Sequence, residues 1–182
     1  MEDGVLIGGK EKRDIMIVEY DHAWPGKFLK HAGIIARALG DNALSVEHVG
    51  STSVPGLAAK PVIDILVVVR NSGDEGSYLS PMVEAGYVLR VREKDWYEHR
   101  MFRTPELDVH IHFYSAGCEE IRRLLAFRDR LRSHAQELLL YESAKRNLSG
   151  RDWSDMNEYA RAKTEVVEAI IARALQDGGT DR

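Results

Sequence analysis

The sequence predicts an α+β domain, a mixed sheet of about four or five strands flanked early by helices and closed by a helical C-terminal third. Three observations carry this. The near-continuous β-branched run PVIDILVVV (residues 61–69) suits a central strand covered on both faces. Shorter alternating runs lie on either side of it. From Gly117 onward, apolar residues recur at helical spacing. The 182 residues suffice for one domain with a sizeable core, and 44% apolar with 30% charged residues argues for a folded chain rather than a disordered one.

The elements follow in order. Residues 1–14 are polar and Gly-rich and read as a flexible arm without the apolar core of a signal peptide; residues 15–176 read as the single domain. IMIVEYD is a short extended segment. Pro25 starts a helix whose apolar face holds Phe28, Ile34, Ile35 and Leu39, and Gly40 stops it. LSVEHV is a strand. A short helical turn is expected at Gly56 to Ala59, before the central strand. NSGDEGS is a loop, a helix runs from near Tyr78 to Ala85, and YVLRVRE is a strand. WYEHRMFRT and LDVHIHFY form the arms of a hairpin joined near Pro105. Three helices follow: EEIRRLLAFRDRLRSH, AQELLLYESAKRNL and DMNEYARAKTEVVEAIIARALQ. The last is the longest, with Met156, Tyr159, Val166, Ile170 and Ala174 on one face.

Composition narrows the function classes. A net charge of −4 argues against a general nucleic-acid binder, because phosphate backbones reward basic surfaces. The single cysteine, Cys118, permits no intrachain disulfide and fits a cytoplasmic setting. No run approaches the ~20 apolar residues of a membrane span; the longest, Val62 to Val69, is interrupted by Asp64.

That interruption marks the candidate site. A carboxylate in a buried strand is costly unless paired, hydrogen-bonded or metal-bound. Just before it lies the turn of Gly50, Ser51, Thr52 and Ser53, whose hydroxyls and free N–H groups suit phosphate, with Lys60 following. The spacing is not that of a Walker A loop. The structural alternatives are a capped connection for the turn and a salt bridge to Arg128 for Asp64. Asp108, His110 and His112 fall at period two and so share one strand face. With Asp64, and with Glu47 from the preceding strand, they form a candidate set of divalent-metal ligands; histidines hydrogen-bonded to Asp64 are the alternative. Arg128 and Arg132 share a helix face, as do Tyr141 with Lys145 and Tyr159 with Lys163. The paired spacing places tyrosine rings under snorkelling lysine stems, and no dinucleotide fingerprint accompanies it.

The segments VEYDHAWP, VEHVGSTSVPGLAAKPVIDILVVV, HIHFY and LLAFRDRLRSH together resemble the GrpB-like proteins, a branch of the nucleotidyltransferase superfamily. The resemblance runs from about Ile17 to Ala174. It implies a nucleotidyltransferase-like fold in which a Gly-Ser turn precedes a strand bearing two carboxylates one residue apart, with a third acid on a neighbouring strand. Gly50, Ser51 and Asp64 match, and Leu66 stands at the second carboxylate. The resemblance also draws attention to Arg128, Tyr141, Lys145 and Lys163.

Two readings follow. In the first, the chain binds a nucleotide or other phosphorylated small molecule, with Asp64 and Ser51 closest to any chemistry and with Mg²⁺, Mn²⁺ or Zn²⁺ as the candidate ion. Lys60 or Arg128 would neutralise charge there. In the second, it is an accessory module that keeps the fold without the metal-dependent transfer, related to cofactor metabolism such as that of dephospho-CoA kinase.

Overall fold

The computed structural model describes residues 6–9, 15–151, 153 and 156–177. Strands β1 (Ser45–Val49), β2 (Ile63–Val69), β3 (Val88–Glu93), β4 (His99–Arg103) and β5 (Val109–Ser115) form one sheet in the order β1-β2-β5-β4-β3. β2 and β5 run parallel, and every other neighbouring pair is antiparallel. The mixed α+β architecture therefore matches the expectation, and the β-branched run does hold an interior position with partners on both edges.

Helix α1 (Trp24–Leu39) begins with Pro25 in its first turn, where a missing N–H costs nothing, and ends at Gly40 with φ of 52°. It and α2 (Leu79–Glu84) cover one face of the sheet. There Ile63, Ile65 and Val67 of β2, Ile111 and Phe113 of β5 and Phe102 of β4 pack on Trp24, Ile35, Leu39 and Met82. Side chains alternate along a strand, so the neighbouring residues Asp64, Leu66, His110 and His112 take the other face. That face is covered by α3 (Glu119–Ser133), α4 (Ala135–Ser149), α5 (Met156–Ala162) and α6 (Thr164–Asp177). Leu66, Val49 and Tyr114 meet Ile121, Leu124 and Leu125 of α3. Val54 and Leu57, from the β1–β2 connection, are sealed under Phe127, Leu131, Tyr141, Ile170 and Ile171.

Three local expectations differ. The helical turn lies at Ser51–Ser53 instead of Gly56–Ala59, because Gly50 with φ of 69° redirects the chain at once, and Ala59 bridges to Val18. The long final helix is two. Lys163 donates its N–H to the Ala160 carbonyl in a tight turn, so Tyr159 and Lys163 face the sheet while Ile170 and Ile171 pack elsewhere. A single straight helix could not turn those two faces separately. The expected stripe also included Met156, whose side chain lies outside the described residues. Of the expected N-terminal arm, residues 6–9 join the sheet edge: Leu6 bridges to Val91, and Ile7 N–H donates to the Arg90 carbonyl at 2.9 Å.

Candidate functional site

Parallel pairing sets Asp64 of β2 beside His110 of β5, with His112 one step further along the same face. Asp64 Oδ1 lies 3.5 Å from His112 Nε2 and 3.6 Å from His110 Nδ1. One ligating atom from each of the three residues can be chosen with all separations within 4.8 Å. Two ligands of a tetrahedral ion bound at ~2.0–2.1 Å lie ~3.3–3.4 Å apart, which the two Asp64–imidazole separations approach. Both strands are hydrogen-bonded on two edges and buried on their other face, which holds these positions.

The Gly50 turn sits against Asp64. A Cβ on Gly50 would come within 2.4 Å of Asp64 Oδ2, and its φ is also one that L-residues avoid, so glycine is required twice over. Burial pushes the Asp64 carboxyl pKa up, and the neighbouring His110 and His112 imidazoles outweigh it. The net displacement is below the usual carboxylate range.

Asp64, His110 and His112 open into a cavity of about 350 Å³ that is also lined by Ser51, Lys60, Met101, Lys145, Tyr159 and Lys163. Lys145 is almost fully buried, and its ammonium lies 4.7 Å from the centre of the Tyr141 ring. Lys163 repeats the arrangement over Tyr159 at 4.6 Å. Burial first, and then the charge of Lys163, bring the Lys145 amine down to about 7. Lys145 also donates to the Ala58 carbonyl, while the Ala58 N–H donates to Glu142 at 2.9 Å. Helix α4 thereby grips the β1–β2 connection on both sides of one residue. Ser51 Oγ lies 3.5 Å from the Tyr141 hydroxyl.

Several candidate residues point elsewhere. Thr52 is buried and accepts from His48 while donating to the Val62 carbonyl at 3.1 Å. Ser53 Oγ donates to the Gly50 carbonyl at 2.6 Å. Of the three turn hydroxyls, only Ser51 lines the cavity. Arg128 does not pair with Asp64. It bonds Glu47 at 2.9 Å, Asp129 at 2.7 Å and the His48 carbonyl at 3.2 Å. Arg132 bonds the Ser53 carbonyl at 3.0 and 2.7 Å. The two arginines thus hold the backbone on both sides of the glycine turn. Glu47 is taken by Arg128 and is not one of the three clustered cation ligands. Asp108 lies just before β5, outside the strand alternation, and is taken by Lys27 of α1 and by Thr104. Leu66, at the second-carboxylate position, is fully buried among apolar groups.

The structure adds two residues that the sequence did not single out. His99 Nε2 lies 3.1 Å from His112 Nδ1, and His99 Nδ1 lies 2.6 Å from Glu93 Oε2. His99 is buried, which lowers its pKa, with its ring stacked on Tyr114 and lying edge to edge, nearly coplanar, with His112. The signal was available in the hairpin. Met101 pairs with His112, and His99 sits two residues before Met101 on the same strand face.

Comparison with known proteins places the chain. The family model described as GrpB protein matches residues 14–173. A UPF0157 protein of Halalkalibacterium halodurans is 48% identical over 88% of this chain and 82% of its own length. Another from Streptomyces coelicolor is 47% identical over 93% and 89%. The crystal structure of conserved protein GrpB from Enterococcus faecalis superposes with a TM-score of 0.80 at 32% identity, covering 89% of this chain and 98% of that one. With its sheet, its glycine turn and all but the last residues of its helical third within the matched span, the chain belongs to the GrpB family.

Proposed function

We propose that the cavity binds a phosphorylated small molecule, a nucleotide among the candidates, together with one divalent cation held by Asp64, His110 and His112. The observation that carries this is convergence: a carboxylate–imidazole set with ligand-like separations and three lysines, Lys60, Lys145 and Lys163, line one hollow. Amines supply charge for phosphate oxygens, and Ser51 supplies a hydroxyl. Imidazole ligands favour Mn²⁺ or Zn²⁺ over Mg²⁺. The glycine turn beside a carboxylate-bearing strand supports placing the fold within the nucleotidyltransferase superfamily.

The donor set does not suit two-metal transfer. That chemistry needs oxygen ligands for two ions ~3.5–4 Å apart. Leu66 offers none, and Glu47 and Asp108 are engaged with Arg128 and Lys27. This favours a second reading, binding in an accessory role without transfer. A dephospho-CoA kinase of Mycolicibacterium paratuberculosis, 37% identical over 76 residues and matched across 19% of its length, fits such a role.

Thermal unfolding with Mn²⁺ or Zn²⁺, each alone and with ADP, ATP or pyrophosphate, tests the binding claim. A ligand at a hundred times its Kd stabilises by about 2.7 kcal/mol, and Asp64→Asn should remove the metal-dependent part. An unchanged midpoint across that panel would contradict the proposal.

A further inference from the structure

A chain of four side chains leads away from the cation set: Asp64, His112, His99, Glu93. Its three gaps measure 3.5, 3.1 and 2.6 Å. A carboxylate only accepts, and each neutral imidazole carries one N–H. Two imidazole protons must therefore serve three gaps, and one gap is left with lone pairs facing each other.

The distances indicate which gap that is. N–H···O bonds span about 2.7–3.2 Å. The outer two gaps are of hydrogen-bond length, whereas 3.5 Å is not. If His112 donated to Asp64 instead, bare lone pairs would oppose each other at 3.1 Å between the histidines or at 2.6 Å between His99 and Glu93. The favoured arrangement runs one way: His99 Nδ1–H donates to Glu93, and His112 Nδ1–H donates to His99 Nε2.

We propose that Glu93 and His99 are positioning residues that fix the tautomer of His112, so that its Nε2 lone pair faces Asp64 and gives the cavity its affinity for a divalent cation. The inference rests on the cation reading above for its consequence, but the tautomer can be observed without metal. The missing charge in the widest gap is what a cation supplies. Carboxylate–histidine–metal arrangements use the same logic, with the outer group setting which nitrogen is free. Here the outer group is itself a histidine backed by a carboxylate, and His99 is locked by its stack with Tyr114 and by the edge of Trp96.

The test uses ¹⁵N-histidine NMR on the metal-free chain, with His112 assigned by its loss in His112→Gln, and calorimetric titration with Zn²⁺ alone. Wild type should show His112 with a bare Nε2 and a protonated Nδ1. Glu93→Leu removes the acceptor at similar size, and His99→Phe keeps the ring stack but removes the bond. In both, the His112 proton should move to Nε2, facing Asp64, and zinc affinity should fall about 10–100-fold. Because a folding defect would not move a proton between ring nitrogens, the shift separates positioning from general damage. A protonated Nε2 in wild type, including a doubly protonated ring, would overturn the inference. So would variants that bind zinc as wild type does, although the cation site would then stand. The expected shifts with no zinc binding in wild type would instead overturn the cation reading and the relay's consequence for it.

Discussion

The two faces of β2 and β5 use alternate residues of the same strands to opposite ends. On the α1–α2 face, Ile63, Ile65, Val67, Ile111 and Phe113 are all buried in one apolar cluster. On the other, Asp64, His110 and His112 border a hollow, while Leu66 between them is as dry as any core residue. The pleat thus divides each strand into a line that holds the fold and a line that offers chemistry. Leu66 shows the division is not absolute, since the chemical face is apolar wherever α3 lies directly on it.

Phe113→Ala on the packing face should give the largest loss, about 3–5 kcal/mol, read by denaturant unfolding. Leu66→Asp sharpens the comparison. If the face were polar throughout, it would be tolerated and add a ligand; instead, a carboxylate placed among Tyr114, Leu124 and Leu125 should cost several kcal/mol without raising metal affinity. Gly50→Ala probes the seam between turn and strand. Its Cβ collides with Asp64, so we expect a loss of about 1–3 kcal/mol together with weakened cation binding. By contrast, Asp64→Asn should destabilise the metal-free protein less than Phe113→Ala does, because its imidazole partners stand at 3.5–3.6 Å. A loss of several kcal/mol would mean that Asp64 is a packing residue after all.

The smallest effect is pH dependence. Lys145 is charged below about 7 and neutral above it, whereas an unfolded lysine stays charged to about 10.5. Two consequences follow. Pyrophosphate affinity should decline above pH 7, by up to tenfold per unit relative to Lys145→Met measured in parallel. The contribution of Lys145 to stability has the opposite slope. Between about 7 and 10.5 the unfolded chain binds the extra proton, so raising pH through that window favours the folded state.

Much of the fold was legible because its signals are local. Pro25 and Gly40 bound α1, and the β-branched run marks β2. The site was legible in part for the same reason: Asp64 is conspicuous within an apolar run, and His110 and His112 share a face by alternation. What the sequence left open depends on distance. Whether Asp108 continues the His110–His112 line depends on where β5 begins, and α1 supplies Lys27 to claim it. Arg128 faces the glycine turn from α3 but meets Glu47 first, a geometry set by helix packing. His99 and Glu93 join the site only through the β4–β5 register and the β3–β4 hairpin. The break at Lys163, which turns two lysines into one cavity, has no proline or glycine to announce it.

Anomalous diffraction from crystals grown with Zn²⁺, recorded at the zinc edge, shows whether Asp64, His110 and His112 hold a cation. One peak is expected, bonded at ~2.0–2.2 Å to Asp64, His110 and His112, with its open side toward Lys145 and Lys163. Density without a peak between those three side chains, or a zinc bound only at surface histidines, would contradict it.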